Sequence, residues 1–237
     1  LIFAWPLFVF VPEAKASDRP RVNLLRGYVV LWNDLKELWH AARSTLWFLL
    51  ASAVYRDGLA GVFTFGAIIA SKAFGFSNTE VVMFGIAANL VAGISTIIAG
   101  RLDDLVGPRA VIIVSLSGIV IAGLSVALLH GQGDIIFWVF GLFLSALVGP
   151  AQAASRSLLA RVSPVGRETE IFGLYATTGR AASFLAPGAW TIVIGITGAT
   201  LWGTVGIVGV VLLGLILLLL VRTPADKGDV ARPVLDG

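Results

Sequence analysis

The chain has 237 residues, 57% of them hydrophobic and only 13% charged, and its mean hydropathy is +0.93. Soluble domains carry about 25% charged residues, so this is the composition of an integral membrane protein. The net charge of +3 then reports where basic residues lie relative to a lipid bilayer, and no nucleic-acid partner is expected. With no cysteine and two histidines, disulfides, thiolate metal sites and cysteine catalysis are excluded. H-E-x-x-H and G-x-x-x-x-G-K-[ST] patterns are missing, so zinc proteolysis and P-loop ATP hydrolysis lack their parts. No cofactor and no metal are expected.

Residues 1–11, LIFAWPLFVFV, give about 16 Å of helix, half a bilayer. No charged segment precedes them as in a signal peptide, and they read as the end of a truncated transmembrane helix. Residues 12–45 are predicted to be a cytoplasmic linker. Within it, Leu24, Tyr28, Leu31, Leu35, Leu38 and Ala42 recur at helical spacing, which predicts an amphipathic helix over 23–44. Trp32 and Trp39 suit a headgroup interface, and a connector packed beneath the bundle reads equally well.

Six long apolar runs follow, at 46–70, 79–100, 110–130, 135–160, 171–194 and 200–221. Each is long enough to cross a bilayer, and only helices survive as separate segments in lipid. Residues 46–221 are therefore predicted to be a six-helix membrane domain, followed by a cytoplasmic tail, 222–237. Of the 17 basic residues, thirteen fall on one face of this arrangement and Lys72 alone on the other. The remaining three, Arg56, Arg156 and Arg180, lie inside spans. By the positive-inside rule the thirteen mark the cytoplasmic side.

The first span holds the central problem. Arg56 and Asp57 sit near its middle, where each charge costs roughly 2.5–3.5 kcal/mol on insertion scales. Neighbours in sequence diverge by about 100° around a helix and face each other poorly. A mutual ion pair is thus a weaker account than a polar pathway bordered by Tyr55, Arg56 and Asp57. The fourth span adds Gln152 and Arg156, and the fifth Arg180. At 1.5 Å per residue, Asp57 and Arg180 lie about 17 Å and 14 Å into their spans, a shared level at which they could pair or share a ligand. Arg156 lies about 33 Å from the far end of its span, where it could also simply snorkel to the surface. Three arginines against one aspartate favour an anionic group on the solute.

Polarity appears in the first two members of each triplet of spans and vanishes in the third. That pattern predicts a three-plus-three internal repeat, with the third and sixth spans toward lipid. Pro150 and Pro187, each beside a glycine, free backbone carbonyls and permit bending. Gly131-Gln132-Gly133-Asp134 spells the G-x-G-D of intramembrane aspartyl proteases. A carboxylate dyad must share a proton, however, and Asp134 lies at the surface, some 15 Å from the depth of Asp57. HGQGD reads better as a turn, and no enzyme is expected. A further alternative is a scaffold half without transport activity of its own.

The segment GRLDDLVGPR, residues 100–109, is predicted to be a loop between the second and third spans. It resembles the G-x-x-x-D-[RK]-x-G-[RK]-[RK] signature of the major facilitator superfamily. Gly100, Asp104, Gly107 and Arg109 match, whereas Leu105 and Pro108 replace basic residues. The stretches FLLASAVYRDG (48–58), SRSLLARVSPVGRETEIFGLYATTGR (155–180) and PLFVFVPE (6–13) extend the resemblance over nearly the whole chain, to the vacuole-effluxer-like branch of that superfamily. This implies an all-α membrane fold, the C-terminal six-helix half of a twelve-helix transporter, with the lipid bilayer, a missing N-terminal six-helix half and a small solute as partners. The six spans would be helices seven to twelve: seven and ten beside a central cavity, eight and eleven between the halves, nine and twelve toward lipid. Residues 100–109 would latch one conformation. The eukaryotic relatives export amino acids from the vacuole; a bacterial inner-membrane member is the expectation here.

Overall fold

The computed structural model describes residues 43–163 and 166–221, and every long element among them is an α-helix. The expected half-span 1–11, the linker helix 23–44 up to residue 42, and the tail 222–237 lie outside the described residues. In chain order the helices are α1 (Arg43–Ala73), α2 (Asn78–Val106), α3 (Pro108–Leu128), α4 (Asp134–Val162), α5 (Glu168–Ala181), α6 (Leu185–Thr197) and α7 (Gly203–Leu220). They supply six stretches long and apolar enough to cross a membrane, with α5 and α6 together making the fifth.

Local chemistry sets the helix ends. Ser77 caps α2 in a capping box: its Oγ accepts the Glu80 amide, and the Glu80 carboxylate accepts the Ser77 amide at 2.8 Å. At the other end of α2 the expected loop over 100–109 is corrected. Helix runs on through Val106, and the turn is confined to Gly107, whose φ of 85° suits glycine. Pro108 then opens α3 at a position where its missing amide costs nothing. The charges of GRLDDL do not break a helix; they place its last turns in a polar layer. HGQGD is indeed a turn, a 3-10 segment at His130–Gln132 followed by Gly133 at φ 98°.

The packing exchanges partners between triplets. The first span packs chiefly on the sixth, and the fourth chiefly on the third. The second lies on the fourth and third, and the fifth on the first and sixth. The third and sixth also pack on each other. Swapping first for fourth, second for fifth and third for sixth leaves this pattern unchanged, as a three-plus-three repeat requires.

The third and sixth spans each keep an open apolar face, with Val114, Ile121 and Leu128 exposed on one and Leu213, Ile216 and Leu220 on the other. About half of each is enclosed, 50% and 56%, against 6% for the second and 11% for the fifth. Hydropathy could not reveal this, because a leucine on another helix and a lipid tail are equally apolar environments. Small residues decide the contact instead. A Cβ on Gly58 would stand 2.6 Å from Val211, and one on Gly214 would stand 2.6 Å from the Tyr55 backbone nitrogen. These two glycines let α1 and α7 approach backbone to backbone.

Candidate functional site

Tyr55, Arg56 and Asp57 are successive residues of α1 and point to three different helices. Tyr55 is fully buried, and its hydroxyl lies 2.7 Å from the Ser155 Oγ of α4. Ser155 in turn donates to the Ala151 carbonyl one turn back, so Tyr55 can donate to Ser155. Arg56 donates to the Tyr175 carbonyl of α5 at 3.1 Å, and its guanidinium carbon lies 3.9 Å above the centre of the Tyr175 ring. That combines a charge-assisted hydrogen bond with a cation–π contact. Gly179, one turn further on, leaves the room: a Cβ there would stand 3.0 Å from Arg56 Nη1. Asp57 is buried and accepts the Ala186 amide of α6 at 2.5 Å.

The fifth span is broken where the last two of these residues grip it. Helix stops at Ala181 and resumes at Leu185. Pro187 accounts for the break, since its ring would clash with the carbonyl four residues back, that of Ser183. The intervening backbone forms two tight turns, Ser183 amide to Arg180 carbonyl and Leu185 amide to Ala182 carbonyl, with the Ser183 hydroxyl also on the Arg180 carbonyl. The first amides of the resumed helix have no intrahelical acceptor, and no side chain of the local sequence caps them. Asp57, 129 residues earlier in the chain, does that work. It is an N-cap supplied by another span, and its negative charge faces the positive end of the α6 dipole.

Asp57 and Arg180 do not pair with each other in this structure. Asp57 turns to Ala186, and Arg180 is exposed in the last turn of α5, with no described residue pairing its guanidinium. Gln152 and Arg156 are brought together, one turn apart on α4. They line a cavity of about 290 Å³ with Thr96 of α2 and Phe63 of α1. Asp134, of the G-x-G-D pattern, is exposed in the first turn of α4.

In the 100–109 segment, Gly100 lies within α2 and Gly107 makes the turn. Arg109 reaches from α3 to the Leu218 carbonyl near the end of α7, at 3.3 Å. Asp104 is exposed; its neighbour Asp103 holds Arg161 of α4, at 3.5 Å. Sequence reasoning missed Asp103, Arg161, Ser155, Tyr175 and Gly179. A second acid beside the motif position was the one available signal for the first of these.

The model of the family described as vacuole effluxer Atg22 like matches residues 1–231. The chain belongs to that family. Two relatives of this Atg22-like chain bear on its architecture. Autophagy-related protein 22 of Cryptococcus neoformans var. neoformans serotype D (strain B-3501A) is 26% identical over 173 residues, covering 66% of this chain and 31% of the relative. An uncharacterized MFS-type transporter, YxiO, of Bacillus subtilis (strain 168) is 24% identical over 217 residues, covering 92% of this chain and 50% of the relative. The Atg22-like chain thus spans half or less of the length of these relatives. Its family, its six spans and their exchanged packing make it an all-α, multi-pass half of the major facilitator type.

Proposed function

We propose that this chain is the C-terminal half of a secondary transporter that works by alternating access with a second six-helix half. The observation that carries the reading is the distribution of exposure. The second and fifth spans are almost uncovered, and they bear Asn89, Thr96, Thr177 and Arg180. Polar groups at membrane depth facing lipid are costly; a second bundle and a wet passage between the halves would cover them. The solute is a small molecule bearing an anionic group, an amino acid or an organic anion. Gln152, Arg156 and Arg180 border its path, and residues 100–109 latch one state. The basic ends of the helices face the cytoplasm of a bacterial cell.

In this reading Asp57 carries a coupling proton. Protonation removes its charge and with it the attraction to the positive end of the α6 dipole, while an oxygen stays available to accept the Ala186 amide. The experiment is uptake by proteoliposomes holding the complete twelve-helix polypeptide, with and without an imposed pH gradient, over a panel of amino acids and carboxylates. Asp57→Asn should keep solute exchange but lose stimulation by the gradient. Equal gradient-driven uptake in wild type and Asp57→Asn would remove Asp57 from the coupling step.

A further inference from the structure

The two halves of the fifth span are held very differently. α6 is wedged between α1 and α7. A Cβ on Gly61 of α1 would stand 2.8 Å from the Ala186 Cβ, and one on Gly206 of α7 would stand 2.6 Å from the Ala189 carbonyl oxygen. Trp190 stacks on Phe65 of α1 with ring centres 4.4 Å apart, and its indole lies 2.5 Å from where a Cβ on Gly203 would stand. α5, by contrast, packs on α1 and only slightly on α4 among the described residues. Of its 14 residues, Ile171 and Tyr175 are the buried ones, one turn apart on a single stripe. A Cβ on Gly173 would meet nothing within 4 Å, and one on Gly179 would first meet the Arg56 guanidinium. Close backbone approach therefore fixes α6 and not α5.

Arg56 and Asp57 divide these halves between them. Asp57 holds the Ala186 amide, on the wedged side of the break. Arg56 donates to the Tyr175 carbonyl and covers the Tyr175 ring, on the lightly packed side. Between the two grips lie Ala182, Ser183 and Phe184, which belong to neither helix. A short segment of this kind can absorb a change of φ and ψ while the helices on each side stay rigid.

We propose that α5 is a hinged gate. Residues 182–184 are its hinge, Asp57 anchors the fixed half of the span, and Arg56 is the catch on the moving half. The start of α5 follows Arg161 and Arg167, which the positive-inside rule sets at the cytoplasm, so the gate stands on that side. Releasing the catch lets α5 swing while α6 stays in its wedge. A helix of 14 residues is about 21 Å long, so a swing of about 15° carries its far end about 5 Å. The use of such a gate rests on the transport reading. Its motion lies inside one half, whereas the rocking of two rigid halves changes no distance within this chain.

The test is distance measurement between paired spin labels by pulsed electron resonance, on the complete polypeptide in lipid nanodiscs. This chain has no cysteine, so labels go only where a cysteine is introduced, once any in the other half are replaced. One pair, Thr169→Cys with Leu220→Cys, joins the cytoplasmic ends of α5 and α7. The other, Thr197→Cys with Leu128→Cys, joins the opposite ends of α6 and α3. All four positions are exposed. Arg56→Met keeps the apolar stem and removes the catch. In that background the α5 pair should show a second distance, about 5 Å from the first, at least threefold more populated than with Arg56 in place. The α6 pair should not change. Tyr175→Leu removes the ring and leaves the charge, should act in the same direction, and decides the matter if Arg56→Met does not fold. An unchanged α5 pair in the folded variants would overturn the catch. A shift of both pairs together would overturn the hinge, because the fifth span would then move as one piece. Either result leaves the transport reading to the uptake assay, which tests it separately.

Discussion

The Asp57 carboxylate and the Ala186 amide, 129 residues apart, meet at 2.5 Å and join the middle of the first span to the restart of the fifth. A charge inside a membrane helix and a break inside another are each unfavourable alone. Together each supplies what the other lacks: an acceptor for orphan amides, and donors plus a helix dipole for a buried carboxylate.

This relationship separates acceptor from charge. Asparagine caps helices about as well as aspartate, whereas alanine removes the cap at about 1 kcal/mol. Hydrogen exchange at Ala186 should be little changed in Asp57→Asn and about fivefold faster in Asp57→Ala. Unchanged protection in the alanine variant would show that the amide does not depend on Asp57.

Tyr55→Phe removes the hydroxyl that bonds to Ser155 while keeping the ring. Ser155 retains its bond to the Ala151 carbonyl, so no partner is stranded, and the loss should be about 1 kcal/mol of stability. Tyr55→Ala also empties a fully enclosed site and should cost about 3–5 kcal/mol. Thermal unfolding in detergent, followed by tryptophan fluorescence, would rank the two.

Glycines on one helix can be set against each other. Gly214 of α7 meets the Tyr55 backbone, whereas Gly209 on the same helix meets nothing within 4 Å. Gly214→Ala should destabilise by about 1–3 kcal/mol through overpacking. Gly209→Ala should be neutral or stabilise by up to about 1 kcal/mol, because alanine is the better helix former. Equal melting temperatures for the two variants would contradict the close approach of α1 and α7.

The neighbouring acids at the end of α2 should behave differently. Asp103 pairs with Arg161 at 3.5 Å, and the arginine side chain is 45% exposed, so solvent screens the pair and its worth is at most about 1 kcal/mol. A double-mutant cycle between positions 103 and 161 should give a coupling of a few tenths of a kcal/mol. The same cycle between 104 and 161 should give none.

By itself the sequence determined the class and the spans. Runs of twenty apolar residues have one stable outcome in lipid, a helix, because the bilayer offers backbone groups no partner but their own chain. It also marked Arg56 and Asp57 as groups in need of partners, since burying a charge is costly wherever the chain goes. The partners themselves were illegible. Asp57 found a backbone amide, which every residue but proline carries and no side-chain pattern announces. Tyr175 and Ser155 were ordinary helix residues until the fold brought them to α1. Which half of α3 and of α7 packs against protein was equally hidden, because an apolar side chain is at home against either lipid or protein. Tertiary structure decided these points because each depends on which helix lies opposite, and close approach at Gly58 and Gly214 settled that for the first and sixth spans.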